Sequence, residues 1–365
     1  MRVTSVDSLL VAVPLERPVR LSRESFAVRE FNIVRVHTDE GISGTGYARG
    51  GRLVDAAVEH ELGPALLGRD PLAVEGHWEA AYERTALIGR GGAVLRGLSA
   101  LDIALWDIKA KAARLPLARL IGAEHLTVPV YVSGGYYRDG QTPDHVAAEM
   151  VGYAENGFRA VKIRIGGLPW REDIARVAAV RKALGGQVEL AVDANQGYRT
   201  AAEAVRVGRE LEQLGIRWFE EPLRPEDAGA LADVAASLDL PVAMGETEST
   251  RWRFRDLIER RATDIVQPDV TVVGGVSEWL KVAALAGASA IPVAPHYFPE
   301  VHAHLVAATT CATTIEWFSP DADIISFDVF LQEPLRPRDG AVTIPETPGV
   351  GLELRDDSVR RLRVA

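Results

Sequence analysis

The rhythm of apolar and polar positions changes near residue 126. Before it, Thr4–Val13 is largely apolar, Phe31–His37 alternates, and an Asp39-Glu40-Gly41 turn leads into Gly44–Tyr47. This pattern predicts about three antiparallel strands. Helical periodicity follows at about 54–67, 72–85 and 91–113, and the last stretch carries Leu95, Leu98, Leu101, Leu105 and Ile108 as one apolar stripe. Residues 1–125 therefore read as an α+β module. From Val128 onward, short apolar runs alternate with amphipathic stretches. Candidate strands are Val128–Val132, Ala160–Ile165, Val188–Val192, Arg217–Phe219, Pro241–Met244, Asp264–Val266, Ala290–Val293 and Thr313–Ile315, with helices such as Arg171–Leu184 and Ala201–Leu214 between them. Eight strands alternating with helices predict a parallel (β/α) barrel over residues 126–320. A doubly wound open sheet is the alternative, but no Gly-x-Gly-x-x-Gly follows a first strand. The tail, 321–365, reads as loops and strand fragments such as Val342–Ile344 and is expected to return to the N-terminal module.

Each predicted barrel strand from the third to the eighth ends in a chemically capable residue. In order these ends hold Asp193 and Asn195, Glu220 and Glu221, Glu246, Gln267 and Asp269, His296, and Glu316. The second strand carries Lys162 and Arg164, which share a face because strand side chains alternate. In a barrel these positions meet at the C-terminal mouth. Asp193, Glu220 and Glu246 would repel one another there unless a cation lay among them. Hard oxygen ligands on neighbouring strands suit Mg²⁺, and no Cys or His stands near them as a structural zinc site requires. A single acid after a strand is more often a helix cap, but capping does not account for the whole set with its adjacent Lys-x-Arg. Glu221 reads as a supporting carboxylate. His37, His60, His77, His125 and His145 read as ordinary surface or core histidines, and His302 and His304 as surface residues of a helix. Only His296 stands at a strand end, with Asp269 on the neighbouring end to fix its tautomer and raise its basicity.

Bulk properties narrow the function. The formal net charge of −10 argues against a nucleic-acid surface. Cys311 is the single cysteine, which excludes an internal disulfide and fits a reducing, cytoplasmic setting. Residues 1–10 do not read as a signal peptide, and no apolar run approaches the ~18 residues of a membrane span.

The stretch Ala100-Leu101-Asp102-Ile103-Ala104-Leu105-Trp106-Asp107-Ile108-Lys109, together with Asp193-x-Asn195, Glu220-Glu221-Pro222, Gly245-Glu246, the Asp269 and His296 pair and Glu316, resembles the enolase superfamily and, within it, the mandelate racemase subgroup. The resemblance runs in order over nearly the whole chain. It implies a modified TIM-type (β/α)7β barrel with an α+β capping domain. It also implies Mg²⁺ held by Asp193, Glu220 and Glu246 and bound to a substrate carboxylate, where it stabilises the enediolate left when the α-proton departs. Lys162 is expected near that carboxylate, Glu316 is expected to be protonated and to hydrogen-bond it, and Asn195 is expected to help bind substrate. One departure stands out. Where the family commonly has a second lysine serving as a base, this chain has Arg164, which stays protonated at neutral pH. One base, His296, suffices for dehydration of a sugar acid (aldonate or aldarate) to a 2-keto-3-deoxy acid; the alternative is a racemase or epimerase of a 2-hydroxy or amino acid, which wants a base on each face and would use Lys162 or an activated Arg164 as the opposite one. A non-catalytic binding protein on the same fold is the reading from another class. By position, the capping loops are Arg17–Phe26 and Tyr47–Arg52, whose Arg20, Arg23, Arg49 and Arg52 are candidates for binding a small polyhydroxy or diacid substrate. The resemblance further implies a homo-oligomer.

Overall fold

The computed structural model describes residues 1–324 and 327–364. The chain opens with a three-stranded antiparallel sheet of β1 (Val3–Arg20), β2 (Ser25–Thr38) and β3 (Ser43–Ala48). Both long strands exceed their predicted lengths, because pairing continues past Pro14 to Val19↔Phe26 and Arg20↔Ser25 after an irregularity. The expected loop at 17–26 is therefore a hairpin end, closed where the Leu21 amide donates to the Glu24 carbonyl at 2.8 Å. The 54–67 periodicity resolves into α1 (Arg52–Ala56), a π turn over 57–62 and a 3₁₀ turn over 64–66. Next come α2 (Val74–Arg84) and α3 (Gly92–Ala113). Helix α3 lies so close to β3 that a Cβ on Gly46 would fall 1.9 Å from the Ala100 carbonyl, which explains glycine inside a strand.

A short helix, α4 (Leu117–Leu120), leads to the barrel. Its strands and helices alternate: β4 (Thr127–Gly134), α5 (Pro143–Glu155), β5 (Ala160–Arg164), α6 (Trp170–Leu184), β6 (Glu189–Asp193), α7 (Ala201–Gln213), β7 (Phe219–Glu220), α8 (Ala228–Ser237), β8 (Val242–Met244), α9 (Thr250–Glu259), β9 (Ile265–Val266), α10 (Gly275–Ala288), α11 (Pro299–Ala307) and β10 (Ile315–Trp317). The parallel order runs β10-β4-β5-β6-β7-β8-β9. The predicted seventh strand shrinks to one residue, Val293, which bridges Val266 on one side and Ala312 on the other. Val161, Ile163, Leu190, Val192, Phe219, Val242 and Met244 belong to the large apolar core in which strands and helices meet, while Lys162, Arg164, Asp193 and Glu220 are buried outside it. The tail meets both parts: its fragment becomes β11 (Ala341–Thr343), antiparallel to β4 of the barrel, while Phe327 and Phe330 pack on Phe31, Asp356 pairs with Arg35, and the end of the chain after α12 (Asp356–Leu362) reaches β1 through the Val11↔Arg363 bridge. Among the described residues no helix is long and apolar enough to cross a membrane.

The capping module is joined to the barrel by a buried polar seam. Asp102 of α3 accepts from the Ser277 amide at 2.9 Å and from its hydroxyl at 2.7 Å, in the first turn of α10. A carboxylate there also meets the positive end of the helix dipole. Ser99 Oγ accepts from the Gly274 amide at 3.1 Å, and the Trp78 indole donates to the Gly274 carbonyl at 2.7 Å. Gly275, at φ 86°, cannot carry a side chain because a Cβ would lie 2.4 Å from Asp102 Oδ2. Burial raises the Asp102 pKa to about 7, outweighing the two Ser277 hydrogen bonds that lower it. Five residues on, Asp107 accepts from the Thr45 and Val350 amides, both at 2.9 Å, and so ties sheet, helix and tail. Replacing Asp102 with alanine leaves buried donors of Ser277 without acceptors. We expect the Asp102→Ala variant to lose about 2–4 kcal/mol in urea unfolding, and a loss below about 0.5 kcal/mol would show that the seam does not hold the two parts together.

Candidate active site

Lys162 and Arg164 project from β5 on the same side, as period two dictates. Both are buried, at 0% and 2% exposure. Lys162 Nζ lies 2.6 Å from Glu220 Oε1 and 2.9 Å from Glu316 Oε1. Arg164 makes a short ion pair with Asp193, and its Nη2 reaches the Tyr136 hydroxyl at 2.9 Å and Ser133 Oγ at 3.1 Å. Burial works to lower the Lys162 pKa, but Glu220 and Glu316 outweigh it and hold the ammonium charged. The arginine is likewise pinned in its charged form.

Asp193, Glu220 and Glu246, at the ends of β6, β7 and just past β8, offer carboxylate oxygens within 4.8 Å of one another. Glu220 Oε2 receives the Trp218 indole at 2.9 Å and the Gln267 amide at 2.7 Å, which fixes that carboxylate. Glu246 Oε2 is buried with no hydrogen-bond donor, its nearest positive neighbour being His296 Nε2 at 3.4 Å. A buried carboxylate oxygen left in this state is costly. Glu221, next to Glu220 at φ 40°, turns away to accept from Gln196 at 3.1 Å and Thr247 at 3.2 Å, and burial together with Glu246 raises its pKa well above normal. Beside Glu221, the carboxyl groups of Asp193, Glu220, Glu246, Asp269 and Glu316 crowd around Lys162, Arg164 and His296, an excess of acidic over basic side chains. All-oxygen donors, an orphaned carboxylate oxygen and this excess fit a hard divalent cation such as Mg²⁺.

His296 follows the Val293 bridge. Its Nδ1 meets Asp269 Oδ2 at 2.9 Å, and its Nε2 faces Glu246 and, at 4.0 Å, Glu316. Burial alone would lower its pKa; Glu246, Asp269 and Glu316 push it up to about 9. Asp269 is itself anchored by the Thr271 amide and hydroxyl at 2.7 and 2.8 Å. Glu316 accepts from the Tyr297 amide at 2.9 Å. The expectation that neighbouring carboxylates keep Glu316 protonated is overturned. Burial raises its pKa, but Lys162, His296 and Arg164 more than compensate and hold it at about 2.

His302 and His304 are not surface residues. They are buried, at 0% and 4% exposure, because α11 is covered on both sides. His302 Nε2 accepts from the Val270 amide at 3.1 Å while Nδ1 donates to the Tyr297 carbonyl at 2.7 Å. This neutral tautomer clamps the two segments that carry Asp269 and His296, and burial lowers its pKa to about 4. His304 Nδ1 accepts from the Ala118 amide at 3.0 Å. Trp218 was legible in principle, since it shares the inward face with Glu220 two residues on; Tyr136 and His302 carried no such signal.

Among the remaining expected residues, Asn195 turns its side chain onto Asp193, with Nδ2 at 3.0 Å from Oδ2 and the backbone amide at 2.7 Å from Oδ1. Arg20 is engaged at the rim, donating to the Gly167 carbonyl at 3.0 Å over the Tyr137 ring. Arg23 lines a separate rim cavity with Tyr198 and Arg224. Arg49 sits in the loop after β3, its carbonyl accepting from Arg96 at 3.2 Å. Burial, then the charge of Arg49, lowers the pKa of the buried Arg29, to about 10. Arg52 begins α1. A cavity of about 1020 Å³ is lined by Tyr136, Arg138, Glu149 and Trp317 among others, and by none of the carboxylates of the cluster.

Comparison with known proteins agrees with this geometry. Residues 4–122 match the family model described as mandelate racemase / muconate lactonizing enzyme, N-terminal domain, and residues 145–358 match enolase C-terminal domain-like. The chain is 35% identical to arabinonate dehydratase of Saccharolobus solfataricus, over 90% of this chain and 89% of that protein. It is also 35% identical to D-galactarolactone cycloisomerase of Agrobacterium fabrum, over 100% and 99%. A crystal structure of L-talarate/galactarate dehydratase from Salmonella typhimurium, liganded with Mg and L-lyxarohydroxamate, superposes with a TM-score of 0.92 at 34% identity, covering 100% of this chain and 93% of that one. The chain is a member of the enolase superfamily, of its mandelate racemase and muconate lactonizing enzyme branch.

Proposed function

We propose that the chain is a Mg²⁺-dependent lyase that removes the proton α to the carboxylate of a sugar acid and then expels the β-hydroxyl, giving a 2-keto-3-deoxy acid. The observation that carries this reading is a single His–Asp base beside a three-carboxylate cluster, with a permanently charged arginine where a second base would stand. Dehydratases of arabinonate and of talarate/galactarate among the relatives support it. The single Cys311 suits a reducing compartment.

Asp193, Glu220 and Glu246 would hold the Mg²⁺, which supplies Lewis-acid stabilisation of charge on the substrate carboxylate. Asp269 fixes the imidazole so that Nε2 faces the same space. Neutral His296 takes the α-proton, and the imidazolium can then return a proton to the departing hydroxyl on the same face. Lys162 and Arg164, buried and charged, stabilise negative charge that grows on the carboxylate as the α-carbon loses its proton. Racemisation needs a proton acceptor on the opposite side, and Arg164, on β5 with His296 three strand positions away around the ring, cannot serve at neutral pH. The match to a cycloisomerase favours one second reading, in which the same base opens a sugar-acid lactone.

Three outcomes test these roles. Glu220→Gln should leave the barrel folded, abolish turnover and remove most of the Mg²⁺-induced rise in melting temperature; full activity after exhaustive chelation would refute metal dependence. His296→Asn should abolish both 2-keto product and α-deuterium exchange in D₂O by NMR. If the wild-type enzyme interconverts α-epimers without forming a keto acid, the racemase reading replaces ours; isomerisation of a lactone without loss of water would establish the cycloisomerase reading. Asp269→Asn should cost about 10²-fold in kcat. Because Asp269 stabilises the imidazolium, its loss lowers the His296 pKa, so the acidic limb of kcat/KM for the Mg²⁺-loaded enzyme should move to lower pH.

A further inference from the structure

The capping side of the mouth holds a buried cation that the proposed mechanism does not use. Arg29 stands on β2 two residues before Phe31 and four before Ile33, so the three share the face turned to the barrel. Phe31 and Ile33 belong there to one apolar cluster with Tyr136, from the β4–α5 loop, and Tyr297, the neighbour of His296. Arg29 is 3% exposed. Its Nε donates to the Ile324 carbonyl at 2.8 Å, and its guanidinium lies over the Phe26 ring, 4.1 Å from the centroid. It has no ion-pair partner among the described residues. Burial and the charges of Arg49 and Arg164 weaken its hold on the proton, against the pull of Tyr136 and Tyr297. Arg49, in the loop after β3, acts on both Arg29 and Tyr297, and its carbonyl is held by Arg96 Nη1 at 3.2 Å. Acids on this side are engaged elsewhere: Glu300 accepts from the Tyr47 hydroxyl at 3.0 Å, and Asp328 pairs with Arg336 at 2.9 Å. A guanidinium buried without a counter-ion is unfavourable, and an anion beside it would relieve that cost.

We propose that the substrate is a diacid, an aldarate, whose distal carboxylate is held by Arg29 and Arg49 under the capping sheet while its reacting carboxylate lies at the acidic cluster. This inference rests on the lyase reading above and narrows its substrate class. The two ends of the substrate are served by different cations. Lys162 and Arg164 come from β5 and serve the end that loses the α-proton, whereas Arg29 and Arg49 come from the capping module. Tyr136 stands between the two sets, its hydroxyl taking Arg164 Nη2 at 2.9 Å and its ring sharing the cluster of Phe31. An aldonate would bring a neutral hydroxymethyl group to Arg29 and leave the buried charge uncompensated. A carboxylate there meets the planar fork of a guanidinium in a two-bond, charge-assisted fit. The hairpin arginines do not take this part: Arg20 is spent on the Gly167 carbonyl, and Arg23 lines the separate rim cavity.

The test compares acids that differ only at the far end. Each aldarate is paired with the aldonate of the same length and configuration, and 2-keto product is measured with the Mg²⁺-loaded enzyme. We expect aldarates to lead in kcat/KM by about tenfold or more. Arg29→Gln, which keeps a donor for the Ile324 carbonyl, and Arg49→Gln should each shrink that lead by about tenfold. Arg49, which is only half-buried, keeps the test open if Arg29→Gln fails to fold. Binding is read separately, by calorimetry of the same pairs on the Mg²⁺-loaded His296→Asn protein. Aldarates should bind it about tenfold tighter or more than their partners, and adding Arg29→Gln should abolish the difference. If no acid of either class gives a keto product, the lyase reading fails, while a surviving aldarate advantage in binding still supports the diacid pocket. Equal affinity for aldarates and aldonates overturns the proposal. So do substitutions at Arg29 and Arg49 that weaken both classes alike, because these residues would then serve the fold and not the distal carboxylate.

Discussion

Mutual repulsion among carboxylates is the constraint on which the rest of this mouth depends. Asp193, Glu220 and Glu246 share one small volume, with Glu221, Asp269 and Glu316 around it. Left alone, such a group would protonate or unfold its surroundings. The chain answers each acid differently. Glu221 turns away, and burial beside Glu246 favours its neutral form against the Gln196 hydrogen bond that favours its charge. Asp269 is paired with His296 and two donors from Thr271. Glu316 and Glu220 share the Lys162 ammonium. What remains is an excess of acidic groups around an oxygen of Glu246 without a donor. A divalent ion would balance that excess and give an incoming carboxylate a positive centre to bind.

This arrangement requires the strand ends to be held, because strands of two or three residues have few ladder bonds of their own. Rigidity comes from behind. His302 clamps the Asp269 and His296 segments through one imidazole. The Asp102 and Ser277 seam fixes α10, the helix between those two segments, against the capping module. Cap and mouth are therefore one mechanical unit, and the family-like run from Ala100 to Lys109 is a joint rather than a catalytic element.

Much of this was legible in the sequence for a simple reason. Strand-end acids and the Lys162–Arg164 pair follow a period of two and a repeating strand–helix alternation, so their convergence follows once the barrel is inferred. What was not legible depends on long-range contact. The burial of His302 and His304 follows from the packing of α11 against segments around Val270 and Ala118, far away in the chain. The ionisation of Glu316 turns on Lys162 and Arg164 crossing the mouth to it, which no spacing encodes. The seventh strand's reduction to Val293 and the pairing of the tail with β4 are likewise tertiary choices. The hairpin at 17–26 was missed because its charged, Pro-containing sequence lacks alternation, while register inherited from the longer strands carries it.

Arg164 then sets the direction of the chemistry. A lysine at this place can lose its proton when crowded by other cations, and so can act as a base on its face of the substrate. A guanidinium cannot, and this one is fastened by Asp193, Ser133 and Tyr136. It supplies fixed positive charge where a carboxylate would lie, which stabilises proton loss from either face without accepting the proton itself. Under the proposed function, proton transfer would rest with His296, and a base confined to one face favours reactions in which the removed proton is followed by departure of a group on that same face. On the same reading, an arginine where the resemblance implies a second lysine leaves an electrostatic clamp plus a single base, an asymmetry that favours elimination over racemisation.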